Sequence, residues 1–178
     1  SSLETSGLDF VTSYKIETDF GSFTPSLNAT YITKYDLMDP QAGNIDGAGR
    51  RNFNNIGVSS PELRANLGLA WKNDIHAANV FLRYISSYDD DQNCDDGTAN
   101  LGGCAGGFYE VDSHLTVDAQ YNIDLGGLYD TEQSYVLTLG AINMFDEEPP
   151  QLFTNSGFDS KVHDPRGRQI YARLAIEF

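Results

Sequence analysis

The stretch Arg168-Gln-Ile-Tyr-Ala-Arg-Leu-Ala-Ile-Glu-Phe178, at the end of the chain, decides the predicted fold. Successive side chains of a β-strand point to opposite faces. One face of this stretch is therefore apolar and consists of Ile170, Ala172, Leu174, Ile176 and Phe178. The last residue is itself an aromatic, whereas the exposed terminus of a soluble domain usually frays into water. The pattern is typical of a strand that closes an outer-membrane barrel and touches lipid with one face.

The same alternation recurs along the chain and predicts an all-β fold with no convincing helix. The predicted strands are 7–19, 22–37, 62–72, 75–88, 111–123, 134–144 and 168–178. They have about 11 to 16 residues, whereas strands of soluble proteins usually have five or six. This length matches the requirement for a tilted strand that crosses the hydrocarbon layer.

The connections between these strands alternate in length. Short turns are predicted at 19–22, 72–75 and 124–133, and long loops rich in Gly, Asn, Asp and Pro at 38–61, 89–108 and 145–165. Outer-membrane barrels combine short periplasmic turns with long extracellular loops. Seven strands are an odd number and would leave two unpaired edges in lipid. We therefore expect an antiparallel transmembrane β-barrel segment, one arc of a larger barrel, in a processed or partial chain that begins without Met.

Charge and hydropathy exclude two classes of protein. The net charge is −15, and no Lys or Arg lies between Arg83 and Lys161. Such an acidic surface repels phosphate backbones, so nucleic-acid binding is not expected. No run approaches the roughly 18 apolar residues of a transmembrane helix.

Cys94 and Cys104 lie in one loop rich in Gly and Asp. A close pair in an exposed segment predicts a local disulfide and an oxidising compartment. The alternative is two unrelated free thiols.

Two C-terminal motifs resemble those of TonB-dependent receptors, the outer-membrane importers of siderophores, cobalamin, haem and carbohydrates. Leu137-Thr-Leu-Gly-Ala-Ile-Asn-Met-Phe-Asp-Glu-Glu-Pro-Pro150 resembles the family's penultimate strand, which usually ends in Asn-Leu-Phe-Asp-x-x-Pro-Pro; Met144 replaces the commoner Leu. His163-Asp-Pro-Arg-Gly-Arg168 resembles the Tyr-Asp-x-x-Gly-Arg start of the closing strand. Leu3-Glu-Thr-Ser-Gly-Leu-Asp-Phe10 resembles a Glu-x-x-Gly-Ile-Asp-Phe strand opening. The matching motif residues are Asn143, Phe145, Asp146, Pro149, Pro150, Asp164, Pro165, Arg166, Gly167 and Arg168.

The resemblance implies a bacterial outer-membrane location and a 22-stranded barrel, of which residues 1–178 supply about seven C-terminal strands. The implied partners are the bilayer with lipopolysaccharide, the plug and remaining strands, and the TonB complex, which would act through an N-terminal part outside this chain. Leu174, Ile176 and Phe178 resemble the terminal signal read by the barrel-assembly machinery. The substrate and its contact residues are not implied.

Other candidate sites are weaker. The acidic run from Asp89 to Asp96 suggests a Ca²⁺ site, but the sixth and twelfth positions of an EF-hand would be Asp96 and Gly102 instead of Gly and Glu, so a solvated loop rim is favoured. The histidines His76, His114 and His163 are scattered without metal-ligand spacing, so lone surface or lumen histidines are expected. No nucleophile signature is present, and no enzyme activity, catalytic residue or cofactor is expected. Aromatic girdle positions are predicted at Tyr35, Trp71, Tyr88, Tyr109 and Tyr135.

Two alternatives stay open. A porin or adhesin barrel has the same wall but no plug or TonB-binding segment. A soluble secreted β-sandwich that binds carbohydrate would enclose residues such as Leu67, Val117 and Leu174 beneath a second layer.

Overall fold

The computed structural model describes residues 2–41, 43–51, 59–100, 104–128 and 134–177. Within these residues the chain is β-structure with a single short helix, α1 (Leu125–Leu128). The long strands are β1 (Ser2–Ser13), β3 (Gly21–Asp39), β6 (Leu63–Asn73), β7 (His76–Ile85), β10 (His114–Asp124), β11 (Ser134–Ile142) and β12 (Gln169–Glu177). The short strands are β2 (Ile16–Thr18), β4 (Gly43–Asp46), β5 (Arg50–Arg51), β8 (Tyr88–Cys94) and β9 (Phe108–Val111). None of the described helical residues form a segment with the length and apolarity that a membrane crossing requires.

The seven long strands form one antiparallel sheet in the order β1-β3-β6-β7-β10-β11-β12, so each long strand pairs with the next one along the chain. The strands β2 and β4 pair with β3 at its two ends. A second, three-stranded sheet has the order β5-β8-β9. The predicted all-β fold and its antiparallel sheet are confirmed. The described sheet is open and is not closed into a barrel.

The register aligns the apolar residues of all seven strands on one face, because directly paired residues point to the same side of a sheet. One row of paired residues is Thr12, Leu27, Leu67, Leu82 and Val117. A neighbouring row is Pro25, Leu69, Val80, Ala119, Ala141 and Ile170. A third is Phe23, Trp71, Ala78, Tyr121, Leu139 and Ala172. We call this side the apolar face and the opposite side the polar face.

The apolar face is exposed. Leu67 is 49% exposed and Leu174 is 56% exposed, and within the described ranges no second layer covers either of them. The buried apolar cluster lies instead at one end of the sheet, where Tyr88, Val111 and Leu152 pack together. The sheet therefore does not use its apolar face to build a protein core.

Two boundaries differ from the sequence prediction. The first predicted strand, 7–19, begins earlier and is interrupted between β1 and β2. Pro25 lies opposite the interruption: its carbonyl accepts the N–H of Tyr14 (3.1 Å), but proline has no N–H to return. The fourth predicted strand ends at Ile85, and Tyr88 starts β8 instead.

Candidate functional site

The three long connections meet at one end of the sheet. We call their described residues in 40–62, 86–113 and 143–168 the loop cluster. They contain regular structure, because β5 from the first connection pairs with β8 from the second, which in turn pairs with β9. The third connection supplies Leu152, which forms one buried cluster with Tyr88 and Val111. The alternation of connection lengths thus places all three on the same side.

A chain of buried polar side chains ties the three connections together. The hydroxyl of Ser59 donates a short hydrogen bond to Oδ2 of Asp159, which is 100 residues away in the sequence. The Tyr88 hydroxyl lies 3.4 Å from the same oxygen and 3.4 Å from Nε2 of His163. The Nδ1 atoms of His163 and His114 are 3.3 Å apart. We call these five residues the histidine network.

Local backbone geometry positions His163 within this network. The carbonyl of Asp159 accepts the N–H groups of Val162 (3.1 Å) and His163 (2.9 Å), and its carboxylate accepts the N–H of Lys161 (3.0 Å). The resulting turn presents Asp159 and His163 on the same side. The ring of His163 stacks on that of Tyr88, with centroids 6.2 Å apart.

Burial changes the acid–base properties of the network. Desolvation, followed by the nearby His114, lowers the pKa of His163 to about 4. Desolvation, followed by the negative charge of Asp159, raises the pKa of Tyr88. Both groups are therefore uncharged at neutral pH and act as neutral hydrogen-bonding partners.

The expectation of scattered, lone histidines is wrong for His114 and His163, which are 6% and 4% exposed and adjoin each other. The pair could not be found by searching the sequence for metal-ligand spacing, because the two histidines are 49 residues apart. The signal that was available is topological: one histidine begins β10 and the other precedes β12, both at the loop end. His76 lies at the opposite end, beside Tyr121.

The acidic run from Asp89 to Asp96 is partly internal rather than a solvated rim. Asp90 is fully buried, and its carboxylate binds Arg51 (2.6 Å) and the amide of Asn93 (2.6 Å). Asp91 lies 3.5 Å from Arg50, and Asp96 accepts hydrogen bonds from Thr98.

Metal binding by this run stays a hypothesis. No group of three or more His, Cys, Asp or Glu side chains in the described part of the chain is arranged to hold a metal ion. Ca²⁺ takes six to eight oxygen ligands, and the carboxylate of Asp90 is already bonded to Arg51 and Asn93.

The predicted pairing of Cys94 with Cys104 is present: the two sulfurs are 2.05 Å apart. The bridge links the end of β8 to the segment before β9. The N–H of Asp95 also binds the carbonyl of Gly107 (3.1 Å). The acidic hairpin is thereby held closed at its tip.

The two motifs that resemble the receptor family contact each other. Asp146, in the first motif, accepts the N–H of Arg168 (2.6 Å), in the second. A Cβ atom on Gly167 would lie 2.7 Å from Oδ1 of Asp146, so this glycine is required for the close approach of the two motifs. Phe145 is exposed, and Pro149 and Pro150 lie in irregular backbone.

In the turn after Asp164, the carboxylate of Asp164 accepts hydrogen bonds from the guanidinium and the backbone N–H of Arg166. These bonds lower the pKa of Asp164 to about 2.

Asn143 holds the turn after β11. It has a positive φ of 49°, its side-chain oxygen accepts the N–H of Glu147 (2.9 Å), and its amide donates to the carbonyl of the same residue (2.9 Å). Its own N–H binds the Asp118 carboxylate on β10 (3.0 Å). The start of the third connection is thereby anchored to a neighbouring strand.

The polar face carries a series of hydrogen-bonded side chains, in contrast to the apolar face. The bonds join Thr30 to Asp9, Arg83 to Asp118, Thr138 to Asn122 and Tyr171 to Gln120. The first three pairs bridge neighbouring strands, and Tyr171 reaches from β12 across β11 to Gln120 on β10, so the polar side chains satisfy one another across the sheet.

Aromatic residues border the apolar face at both ends. Trp71 lies at the turn end, where its indole donates to the carbonyl of Phe20 (2.9 Å), and Tyr121 is in the same row. Tyr31 and Tyr84 lie at the loop end.

The girdle prediction is wrong for Tyr88, which is buried in the loop cluster, and for Tyr109, which packs against Phe153 there. Tyr35 and Tyr135 lie in the long strands β3 and β11. Of the suggested assembly signal, Leu174 and Ile176 are exposed on the apolar face. Phe178 lies outside the described residues.

Two cavities open beside the histidine network. One, of about 260 Å³, lies in the loop cluster and is lined mainly by acidic side chains: Asp46, Glu62, Asp89 and Glu110, with Arg50 and Tyr88. The other, of about 190 Å³, lies where the loop cluster meets the polar face, and His114 and His163 line it. The loop cluster thus offers polar recesses, and the first of them favours neutral or cationic occupants.

Comparison with known proteins gives no assignment. The chain matches no family model, no curated protein and no solved structure. Its function must therefore be inferred from the uncovered apolar face, the bonded polar face and the loop cluster that joins three distant segments.

Proposed function

We propose that the chain forms the C-terminal arc of the barrel of a TonB-dependent receptor in the bacterial outer membrane. One observation carries the proposal: a seven-stranded meander exposes an apolar face across its whole width while its opposite face is polar and hydrogen-bonded. In water such a face is unfavourable, because each exposed Å² of apolar surface costs about 25 cal/mol relative to burial. In a barrel wall the same face meets lipid and is favourable.

The dimensions of the apolar face fit a bilayer. Leu63 and Trp71 mark its two ends on β6, eight residues apart. Eight steps of about 3.3 Å give roughly 26 Å along the strand. A strand tilt of about 40° reduces this to roughly 20 Å, somewhat less than the apolar band of about 25 Å in outer-membrane barrels. The bordering Trp and Tyr side chains correspond to interfacial aromatic girdles.

The other features take consistent roles in this arrangement. The polar face would line the interior and contact the plug, and the loop cluster would lie outside the cell. The disulfide between Cys94 and Cys104 suits an extracellular, oxidising location. The resemblance of the motifs around Asn143 and Gly167 to the receptor family is the reason for preferring a TonB-dependent importer over another barrel.

The proposed activity is uptake of a siderophore, carbohydrate or similar large nutrient. This chain supplies wall and outer loops, and energy from the TonB complex would reach the substrate through plug and barrel parts outside these residues. The carboxylates around the larger cavity favour a neutral or cationic substrate over a bare anion.

The test is expression of the full-length protein in a Gram-negative host, followed by fractionation and uptake assays. We expect the protein in the outer-membrane fraction, with a heat-modifiable band on gels, and uptake of candidate siderophores or oligosaccharides that is lost when TonB is deleted. A protein that stays monomeric in buffer without detergent would overturn the membrane assignment and favour the β-sandwich. Insertion with uptake that persists without TonB would favour a porin.

A further inference from the structure

Two buried histidines from distant parts of the chain face each other at the base of the loop cluster. His114 begins β10, and His163 belongs to the third connection. Their Nδ1 atoms are 3.3 Å apart, and the ring planes meet at 78°. A buried imidazole pair of this kind is compatible with few protonation states, so the hydrogen-bond partners of each nitrogen are informative.

The partners fix one proton arrangement. The Asp159 carboxylate only accepts hydrogen bonds, so the Tyr88 hydroxyl donates to it and accepts from Nε2–H of His163. Nδ1 of His163 then carries a lone pair, and Nδ1–H of His114 donates to it. Nε2 of His114 is left as a bare lone pair, buried and without a hydrogen-bond partner. The histidine network is complete only while both imidazoles are neutral.

An added proton disrupts this arrangement wherever it binds. On Nε2 of His114 it creates a buried cation whose N–H has no acceptor. On Nδ1 of His163 the added proton faces the Nδ1–H of His114, so that two donors oppose each other. His114 can avoid this clash only by moving its proton to Nε2, where the N–H again has no acceptor. A second proton would place two like charges in direct contact.

The charged groups nearest the pair act in opposite directions. Asp159 favours protonation of His163, whereas Arg64 opposes it, as does a positive charge on His114. Burial is the largest influence on His114 and opposes a positive charge on it, whereas Glu147 favours one. Burial is the largest influence on His163 and keeps it neutral.

The remaining charges around the pair are already compensated. The cavity of about 190 Å³ beside the two histidines is lined by Arg83, Asp118, Asp164 and Arg166. Arg83 is paired with Asp118, and Arg166 with Asp164 at 2.6 Å. Neither pair offers an uncompensated carboxylate to a newly formed imidazolium.

We propose that the histidine network is an acid-released latch on the loop cluster. While both histidines are neutral, the network joins Ser59 of the first connection, Tyr88 of the second and Asp159 of the third. Protonation breaks the contact between His163 and His114, which holds the third connection against β10, and so loosens the turn that carries Asp159 and His163. The latch goes beyond the proposed transport function, since it concerns when the loops are joined.

The direction of the pH effect follows from linkage. The ordinary pKa of histidine is about 6.5, and in the latched protein the pKa of His163 is about 4. Between these values the released loops bind more protons than the latched loops. Latching therefore weakens as the pH falls from about 6.5 to about 4, and it changes little outside this window.

Amide hydrogen exchange of the full chain in detergent micelles, corrected for the intrinsic effect of pH, tests the latch. We expect exchange in 143–168 to accelerate ~10-fold or more between pH 6.5 and pH 4.5, as a depressed imidazole pKa requires. Peptides from β6 and β7 should keep their protection. Unchanged exchange of 143–168 across this window would overturn the proposal.

Variants separate the latch from general acid sensitivity. His163→Gln can still donate to Tyr88 but does not titrate, so its loops should respond little to pH. His76→Gln, at the other end of the sheet, is the matched control and should respond like the wild type. If His163→Gln opens the loops already at pH 7.5, the titration of His163 in the wild type, followed by NMR, decides: a midpoint well below about 6.5 that coincides with loop opening supports the latch, and a midpoint near 6.5 overturns it. A protein that showed this response but proved soluble would keep the latch and lose the importer assignment.

Discussion

At the residue scale, two glycines on the polar face are covered by aromatic rings from the adjacent strand. Gly68 on β6 lies under Phe81 of β7, and Gly140 on β11 lies under Tyr171 of β12. A glycine in a strand loses packing that a side chain would supply, and the neighbouring ring replaces it. Tyr171 also reaches Gln120 on β10 from this position (3.0 Å). Each glycine thus allows an aromatic residue to lie flat across the sheet.

The substitution Gly140→Ala tests this covering. A Cβ atom there would lie 2.3 Å from Cζ of Tyr171, so the ring must move and its bond to Gln120 is lost. We expect the free energy of unfolding, measured with urea in detergent micelles, to fall by about 1–3 kcal/mol. Gly106→Ala, where the nearest atom is 4.0 Å away, is the control and should change it little. Equal effects of the two substitutions would contradict the role assigned to Tyr171.

Asn143 allows a second prediction at this scale. Asparagine tolerates its positive φ and makes two side-chain bonds to Glu147. Glycine would keep the backbone conformation and lose the bonds, whereas alanine would lose both. Stability in urea should therefore decrease in the order Asn143, Asn143→Gly, Asn143→Ala, with about 2–3 kcal/mol between the extremes. An alanine variant as stable as the glycine variant would show that backbone strain is unimportant here.

At the element scale, the loop cluster is a small folded unit rather than three separate loops. The hairpin of β8 and β9 is central, because it pairs with β5, carries the buried Tyr88 and Val111, and is closed by the bond between Cys94 and Cys104. Asp90 contributes a buried charge that is balanced by Arg51. Since a buried charge is tolerated only with such partners, the hairpin and the first connection depend on each other.

Removal of the disulfide should loosen the hairpin and leave the large sheet intact. The bridge closes a loop of 10 residues in sequence separation, for which chain entropy gives about 2–3 kcal/mol. In the variant Cys94→Ser with Cys104→Ser, hydrogen exchange in 88–111 should accelerate, and exchange in β10 and β11 should not. Wild-type protein treated with a reductant should reproduce the variant. Accelerated exchange throughout the sheet would contradict an independent hairpin.

At the scale of the whole molecule, the proposed membrane location would give the two faces of the sheet different solvents. Leu67 and Asn28 both lie in the middle of the sheet and are exposed, but they are on opposite faces. If water bathed both faces, a charge would be tolerated equally at either residue, because substitutions of exposed residues usually change stability by less than about 0.5 kcal/mol.

The pair Leu67→Arg and Asn28→Arg measures this difference. Arginine at a lipid-facing position near the bilayer midplane lowers the stability of a barrel by about 2–4 kcal/mol, whereas arginine at a position facing the barrel interior is tolerated. We expect Leu67→Arg to reduce the fraction of heat-modifiable protein in the outer membrane and Asn28→Arg to leave it near the wild-type value. Equal insertion of both variants would remove the basis for a lipid-facing wall.

The sequence predicted the seven long strands because alternation at Leu63–Trp71 or Val117–Ile123 is a local property that the sheet preserves. It also indicated which connections share an end. The histidine network was beyond its reach, since Ser59 and Asp159 meet only after the strands between them are placed. The strand β8 was missed for a different reason: Tyr88-Asp-Asp-Asp-Gln-Asn-Cys94 has no alternation, and its pairing follows from the burial of Asp90 and Cys94.

The outer edges of β1 and β12 have no strand beside them in the described part of the chain. Unpaired strand edges readily pair with further strands, and in this sheet they adjoin the exposed apolar face. If the chain is exported as we propose, an unassembled copy in the periplasm would be prone to aggregate through these edges. In that case we expect a chaperone to cover the edges until further strands pair with them.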